Sequence, residues 1–538
     1  MSRQINYSNL TFLVADDFSS FRNTVNAMLT NLGVSQVEMA TNGHEVIQWC
    51  KNHTFDVILC DYNLGAGRTG QHVLEELRYK KLITRKTVFI IVSAESSRNI
   101  VMCSYDCEPD DYLMKPITAK MLEQRMDRLL RQRDVMSEAY KALDACDYIT
   151  ATDILIDLSL AEDRYSTHAQ KILGALFTEQ GEFDKAERLY TRALEIRQLD
   201  WARLGLAKVK QARGELELAG TWLETIVSDS PLYLPAYDVL AENWGQKGEK
   251  LHVQYTVQRA VDISPMSILR QKLLSDVAAE NNDLVTALAA QRKAVKLGQL
   301  SCHGKAEDHF IFARIASLAA ERDMDVDPNT SNEALAILDA AKEKYELTEG
   351  QLAQRNLLAG RIHAQQNRPD IAEQFFNAAQ QTMDMDELGI DVEIDMLLAM
   401  QSMGLDEKAE QYLSDLQHKY KDDQQALEKL DAFLNEPASA SNREFVAAIN
   451  KEGIELYSDG RFDEALACFE KARKLFPRHV GIQLNIVQSL IGKLKCGQTD
   501  SVISRDCQSS LELVATLIED GHPQFERYKR LRLMASAY

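Results

Sequence analysis

The sequence of 538 residues predicts two architectures in succession: a doubly wound α/β domain on a five-stranded parallel sheet, followed by an all-α superhelical solenoid. Two observations predict this order. Residues 9–131 alternate short apolar runs with amphipathic stretches, and parallel strands are normally connected by helices. From about residue 132 the strand pattern stops, and a helical repeat with a period of about 34 residues begins.

The elements of the first domain follow from hydrophobic periodicity. Strands are short apolar runs bounded by turn residues, whereas helices place apolar residues three and four positions apart. The predicted strands are Leu10–Ala15, Gln36–Ala40, Phe55–Cys60, Val88–Ser93 and Asp111–Met114. The predicted helices are Ser19–Leu32, Gly43–Asn52, Gly70–Lys80, Arg98–Cys103 and Thr118–Arg131. Residues 1–8 remain as an N-terminal extension.

Polar residues follow four of these strands at the point where each strand ends. Asp16 and Asp17 follow the first strand, Asp61 the third, Ser93 closes the fourth, and Lys115 follows the fifth. Because chemistry in open parallel sheets gathers at the carboxyl ends of the strands, we expect these side chains to meet. Three carboxylates, a hydroxyl and an ammonium suit a phosphoryl group and a divalent metal.

The repeats are recognised by residue types that recur at a fixed spacing. Leu173, Gly181 and Ala193 are matched two periods later by Leu240, Gly248 and Ala260. Small residues at fixed positions allow two antiparallel helices to approach closely, while large residues fill the space between neighbouring pairs. The clearest copy comprises Gly453, Leu456, Gly460, Phe462, Ala465, Phe469, Ala472 and Pro477.

The repeat region divides at a break in composition. We assign residues 132–434 to a first set of repeats, 435–442 to a loop or linker containing Pro-Ala-Ser-Ala-Ser, and 443–538 to a second set. Ile117–Cys146 contains neither Gly nor Pro and keeps a helical pattern. We therefore expect the last helix of the first domain to continue into the first repeat.

Composition excludes several classes of function. The formal charge of −20 argues against binding to nucleic acid, which requires clustered Lys and Arg. The N-terminus lacks the apolar core of a signal peptide, and no apolar run approaches the roughly 18 residues of a membrane span. The nine cysteines show no zinc-binding spacing. We predict a cytoplasmic protein without membrane insertion and without a separate catalytic domain.

The ordered set Asp16-Asp17, Asp61, Ser93 and Lys115-Pro116 resembles the receiver domain of bacterial two-component response regulators, over about residues 9–131. The resemblance implies a CheY-like, flavodoxin-like fold and a phosphoryl group accepted on Asp61 from a histidine kinase. It also implies Mg²⁺ as cofactor, held by Asp17, Asp61 and the backbone carbonyl of Asn63, with Asp16 acting through water.

The same resemblance assigns roles to further residues. Ser93 and Lys115 would bind the phosphoryl group, and Tyr112 would change rotamer in response. Pro116 would follow a cis peptide bond that directs Lys115 into the site. Asn63 and Glu95 occupy the two positions that tune phosphoryl lifetime in receivers, and because both are polar we predict a short lifetime.

One loop departs from the receiver pattern. Leu64–Gly70 is rich in glycine and lacks the Met-Pro that many receivers carry after the acceptor. It also lacks the Gly-Lys-Ser/Thr ending of a nucleotide-binding P-loop. We interpret it as a flexible rim that affects kinase choice or phosphoryl access, with drift of the loop sequence as the alternative.

The repeats resemble tetratricopeptide repeats (TPR), which are protein-docking surfaces. We therefore expect a response regulator whose repeats bind a protein partner under the control of phosphorylation. Two alternatives stay open: a phosphate sink or inhibitor of a kinase and regulator pair, and a constitutive scaffold whose receiver only docks. The sequence leaves the kinase, the repeat ligand and the formation of a homodimer undecided.

Overall fold

The computed structural model describes residues 5–65, 67–94, 107–161, 164–322, 327, 329–382, 389–496, 501–518 and 521–536. The chain forms two compact units, Met1–Val326 and Asp327–Tyr538. The boundary lies in the Asp-Pro-Asn-Thr region between two helices. The first unit contains the parallel sheet and the helices that follow it as far as Glu321.

The sheet has five parallel strands in the order β2-β1-β3-β4-β5. Its strands are β1 Thr11–Ala15, β2 Gln36–Ala40, β3 Val57–Asp61, β4 Val88–Ser93 and β5 Asp111–Met114. The described helices of this domain are α1 Ser19–Asn31, α2 Gly43–Asn52, α3 Gly70–Tyr79 and α4 Ala119–Asp144. The predicted helix Arg98–Cys103 lies outside the described residues.

Alternate residues of the strands fill two separate cores, because successive side chains point to opposite faces of a sheet. Phe12 and Val14 pack with residues of α1 and α4, whereas Leu13 and Ala15 pack with residues of α2 and α3. Helices therefore cover both faces, which is the doubly wound arrangement expected from the sequence. It leaves the carboxyl ends of the strands together at one edge.

Helix α4 continues beyond the sheet as one uninterrupted helix, as its sequence predicts. Thr118 caps its N-terminus by accepting a hydrogen bond from the backbone of Met121. Further along, the Arg133 guanidinium lies 2.8 Å from the Asp56 carboxylate, just before β3. Tyr7, in the N-terminal extension, donates a 2.6 Å hydrogen bond to Asp127. These contacts fix the direction in which α4 leaves the domain.

The first unit continues with antiparallel helical pairs. Tyr190 shows how glycine permits their close packing: Cβ atoms built on Gly174 and Gly205 would lie 2.5 and 2.3 Å from its ring. The helices are α5 Tyr148–Leu160, α6 Ser166–Glu179, α7 Phe183–Ile196, α8 Asp200–Ala212, α9 Leu216–Asp229, α10 Leu234–Gln246, α11 Lys250–Ile263, α12 Ile268–Glu280, α13 Leu284–Gly298 and α14 Ala306–Glu321.

The second unit has the same helical construction. A Cβ on Gly453 would lie 2.4 Å from the Phe469 ring, so this glycine sets the distance between two helices. The helices are α15 Thr330–Lys344, α16 Glu349–Gln365, α17 Pro369–Thr382, α18 Ile390–Ser402, α19 Asp406–Lys419, α20 Gln424–Leu430, α21 Ala440–Ser458, α22 Phe462–Leu475, α23 Val480–Lys495, α24 Ser501–Leu517 and α25 Phe525–Ala535.

The loop between α20 and α21 is held by a buried carboxylate. Asp431 accepts hydrogen bonds from the backbone of Ala438 at 2.5 Å and from the Asn442 side chain at 2.8 Å. Ser439 also bonds to it and caps α21. Among the described residues, no helix combines the length and apolar character needed to cross a bilayer.

Candidate phosphoryl-acceptor site

Two neighbouring strands place three carboxylates at one edge of the sheet. Asp16 follows β1 and Asp61 ends β3, and these strands are paired with Ala15 opposite Cys60. Asp16 and Asp61 are buried, whereas Asp17 is exposed. One carboxylate oxygen from each of the three residues lies within 4.8 Å of the others. The predicted acidic cluster is therefore assembled by the fold.

Lys115 brings positive charge to this cluster from the end of β5. Its ammonium lies 2.6 Å from Asp16 Oδ2 and 3.1 Å from Asp61 Oδ2. The backbone of Lys115 donates a 2.8 Å hydrogen bond to the carbonyl of Ser93, and the peptide bond to Pro116 is cis. The ammonium thus bridges two buried carboxylates from neighbouring strands.

The electrostatics of the site reflect this crowding of acids. Burial raises the pKa of Asp61 to about 6, and the carboxylates of Asp16 and Asp17 act in the same direction while Lys115 opposes them. Burial alone would lower the pKa of Lys115, but its hydrogen bonds to Asp16 and Asp61 raise it above the ordinary value. The cluster needs positive charge, and Lys115 remains charged to provide it.

Two residues of α1 support the site and were not identified from the sequence. The Phe21 ring centroid lies 4.2 Å from the Lys115 ammonium, which is close enough for a cation–π interaction. Arg22 donates a 2.5 Å hydrogen bond to the backbone carbonyl of Asp16. Asp16 also accepts a bond from the backbone of Phe18 at 2.9 Å. An aromatic or basic residue in a first helical turn has no distinctive sequence signal.

The predicted switch residues lie on β4, which pairs with the strand of Asp61, and on β5, which pairs with β4. Ser93 ends β4 one position beyond Val92, which pairs with Asp61, and it is buried. Tyr112 lies on β5 opposite Ile91 and is also buried. The structure therefore places both side chains in the interior of the domain, Ser93 on the strand between those of Asp61 and Lys115 and Tyr112 on the strand that precedes Lys115.

Hydrogen bonds hold the described residues that follow Asp61. The Asn63 side chain is exposed and accepts a hydrogen bond from the backbone of Gly65 at 3.3 Å, while Glu95 lies outside the described residues. Gly70 donates a 2.8 Å hydrogen bond to the carbonyl of Tyr62. A Cβ on Gly70 would lie 2.4 Å from the Asp61 carbonyl, so a glycine is needed where α3 begins.

Carboxylate oxygens are hard ligands. Mg²⁺ is usually bound by one or two protein carboxylates, and water molecules complete its coordination. Asp16, Asp17 and Asp61 provide carboxylates within a short distance of one another. Burial is the main cause of the raised pKa of Asp61, and the carboxylates of Asp16 and Asp17 add to it, so a bound cation would favour the charged form of Asp61. The donor set therefore fits a divalent cation.

Comparison with known families agrees with this geometry. Residues 12–127 match the response regulator receiver domain, and residues 171–200 and 446–479 match tetratricopeptide repeats. The chain thus carries an N-terminal CheY-like receiver domain followed by TPR repeats.

Two chemotaxis proteins resemble the N-terminal part of the chain. The chemotaxis protein CheY-3 of Vibrio cholerae is 27% identical over 124 residues, which are 23% of this chain and 94% of CheY-3. CheY of Pseudomonas aeruginosa is 25% identical over 123 residues, or 23% of this chain and 98% of that protein.

Solved structures cover both regions of the chain. A CheY-like receiver domain from Methanospirillum hungatei is 23% identical, with a TM-score of 0.21. The match covers 23% of this chain and 98% of the receiver-domain chain. A tetratricopeptide repeat protein from Parabacteroides merdae is 14% identical, with a TM-score of 0.28. The match covers 50% of this chain and 98% of the repeat-protein chain.

Proposed function

We propose that this protein is a response regulator that accepts a phosphoryl group on Asp61 from a histidine kinase and uses its repeats for protein binding controlled by that phosphorylation. The observation that carries the proposal is the Lys115 ammonium held between Asp16 and Asp61 at the strand ends. Such an arrangement neutralises a nucleophilic carboxylate and still offers positive charge to an incoming phosphoryl group.

The chemical step is a displacement at phosphorus. The Asp61 carboxylate attacks the phosphorus of a phosphohistidine, a P–O bond forms, and the P–N bond breaks with its electron pair going to the imidazole nitrogen. With a pKa of about 6, Asp61 is predominantly ionised at neutral pH and therefore competent to attack. The product is an aspartyl phosphate.

Lys115 stabilises the charge on the transferred oxygens, and this contribution requires no reorganisation because its ammonium already lies beside Asp61. Asp17, Asp61 and the carbonyl of Asn63 would hold Mg²⁺ directly, with Asp16 acting through water. Mg²⁺, when bound, supplies the positive charge that offsets the carboxylates and the phosphoryl oxygens.

The response to phosphorylation is assigned to the residues on β4 and β5. Ser93 would donate a hydrogen bond to the phosphoryl group, and Tyr112 would change rotamer as Ser93 moves. Asn63 and Glu95 would position the water that removes the phosphoryl group, so its lifetime would be short. A cytoplasmic location stays a prediction.

The repeats supply the output in this proposal. The matched families are a receiver and tetratricopeptide repeats, and repeats of this type present extended surfaces to peptides or helices of other proteins. The continuous helix α4 joins the receiver to the first repeat, so a displacement of that helix would be passed on rather than absorbed by a flexible linker.

Reconstituted phosphotransfer tests the proposal. Wild-type protein and Asp61→Asn are incubated with a phosphorylated histidine kinase and Mg²⁺, and the label on each protein is followed with time. We expect label on the wild type and none on the variant. Equal labelling, or none on either, contradicts the proposal. Adding the kinase's other regulator separates the phosphate-sink alternative, in which label drains from that regulator.

A further inference from the structure

A phenylalanine of α1 lies against the lysine of the acceptor site. The Lys115 ammonium is 4.2 Å from the centroid of the Phe21 ring, and it also lies 2.6 Å from Asp16 and 3.1 Å from Asp61. Lys115 thus has an uncharged aromatic partner beside its two carboxylates. Phe21 is not among the motif residues that predicted the site, and the proposed phosphoryl chemistry gives it no role.

The first turn of α1 fixes the position of this ring. Arg22, the next residue, donates a 2.5 Å hydrogen bond to the backbone carbonyl of Asp16, and the backbone of Phe18 donates to the Asp16 carboxylate at 2.9 Å. The backbone of Phe21 donates in turn to the carbonyl of Phe18 at 3.1 Å, and its side chain packs against the apolar core on that face of the sheet. The ring and the Asp16 carboxylate, which both contact Lys115, therefore belong to one short, braced segment.

A lysine needs a restraint of this kind if its charge is to act at a defined point. The ammonium is carried on a flexible four-carbon stem, so its position depends on the groups that it contacts. An aromatic face attracts a cation electrostatically, and the attraction is larger where water is excluded. The Lys115 side chain is only 17% exposed, so its contact with the ring is made in such a setting.

The ring differs from the Asp61 carboxylate in what the proposed reaction does to it. Asp61 becomes an aspartyl phosphate, so the ion pair that it makes with Lys115 is replaced by contacts between the ammonium and the phosphoryl oxygens. The Phe21 ring is chemically unchanged by the reaction. Its contact with the ammonium is therefore available before, during and after the transfer, while the bond to Asp61 is exchanged.

We propose that Phe21 is a positioning residue for phosphoryl acceptance: its ring holds the Lys115 ammonium beside Asp61, where the ammonium meets the transferred oxygens. The inference rests on the proposed function of Asp61 and adds a residue to it. The alternative is a purely structural role, in which Phe21 only packs on the core. The two roles are distinguishable, because a residue that acts through Lys115 loses its effect on the rate when the ammonium is removed.

The rate at which acetyl phosphate phosphorylates the full-length protein in Mg²⁺ tests the inference. Leucine at position 21 keeps apolar contact with the core but has no aromatic face, whereas tyrosine keeps the face. We expect Phe21→Leu to react roughly 2- to 30-fold more slowly than wild type, through loss of one cation–π interaction, and Phe21→Tyr to stay within about twofold of wild type. In a Lys115→Met background, Phe21→Leu should change the rate by less than about twofold, since no ammonium remains to be held.

Tyr79→Leu is the matched control, because it removes an aromatic ring from another receiver helix, where the ring lies 5.4 Å from that of His303. It should react at the wild-type rate, and circular dichroism shows that each variant is folded. An equal loss of rate in both backgrounds overturns the inference, as does Phe21→Tyr reacting as slowly as Phe21→Leu, or Phe21→Leu reacting as fast as wild type. These outcomes leave Asp61 as the acceptor, whereas a wild type that takes no phosphoryl group overturns the proposed function and the inference together.

Discussion

Replacing Lys115 with methionine isolates the contribution of positive charge to phosphoryl acceptance. Methionine retains much of the length of the side chain but removes the ammonium that lies 2.6 Å from Asp16 and 3.1 Å from Asp61. One hydrogen bond to a charged group is worth about 1.5–3 kcal/mol. If it is made to the phosphoryl group in the transition state, its loss slows acceptance by roughly 10- to 150-fold.

The assay measures the rate at which acetyl phosphate phosphorylates the full-length protein in Mg²⁺, with the products separated on phosphate-affinity gels. Lys120→Met is the control, because Lys120 is exposed at the start of α4, five residues further along the chain. It should react at the wild-type rate. A Lys115→Met protein that is folded and accepts the phosphoryl group as fast as wild type would refute this reasoning.

Two further predictions concern the repeats. Gly205→Ala should lower the free energy of unfolding by about 1–3 kcal/mol relative to Gly245→Ala. The reason is that its Cβ would meet Tyr190 at 2.3 Å, whereas among the described residues no atom lies within 4 Å of a Cβ at Gly245. Urea unfolding followed by tryptophan fluorescence measures both variants, and equal stabilities would exclude the packing explanation. Burial lowers the pKa of His168, which bonds to Tyr140 at 2.7 Å. Its folded pKa lies below the unfolded value of about 6.5, so stability should be lost as pH falls below about 6.5, and His168→Gln should reduce that loss in Tm. An identical pH profile in the variant would contradict this assignment.

Much of the receiver's fold could be predicted from local patterns. Strands β2, β4 and β5 have the predicted bounds, because each apolar run is closely flanked by turn residues. The first and third strands begin later than predicted, at Thr11 and Val57. Apolar residues at the edge of a run contribute to the hydrophobic pattern whether or not their backbone pairs with a neighbouring strand, so the pattern alone does not locate the first paired residue.

The supporting contacts of the site could not be predicted in the same way. The Phe21 ring contacts the Lys115 ammonium, and Arg22 donates a hydrogen bond to the carbonyl of Asp16. Both contacts depend on the angle at which α1 packs on the sheet. Similarly, Glu393 and Asp395 belong to a stretch rich in acidic residues, and both are buried. Their burial follows from packing between helices that a linear sequence does not specify.

The central claim is that phosphorylation of Asp61 controls which protein the repeats hold. The most direct measurement captures proteins from the native cell on immobilised full-length chain, with and without acetyl phosphate and Mg²⁺, and quantifies them by mass spectrometry. Wild type is compared with Asp61→Asn. The account predicts a partner whose retention changes with the phosphoryl donor for wild type and stays constant for the variant. Identical partners and amounts in all four samples would contradict it.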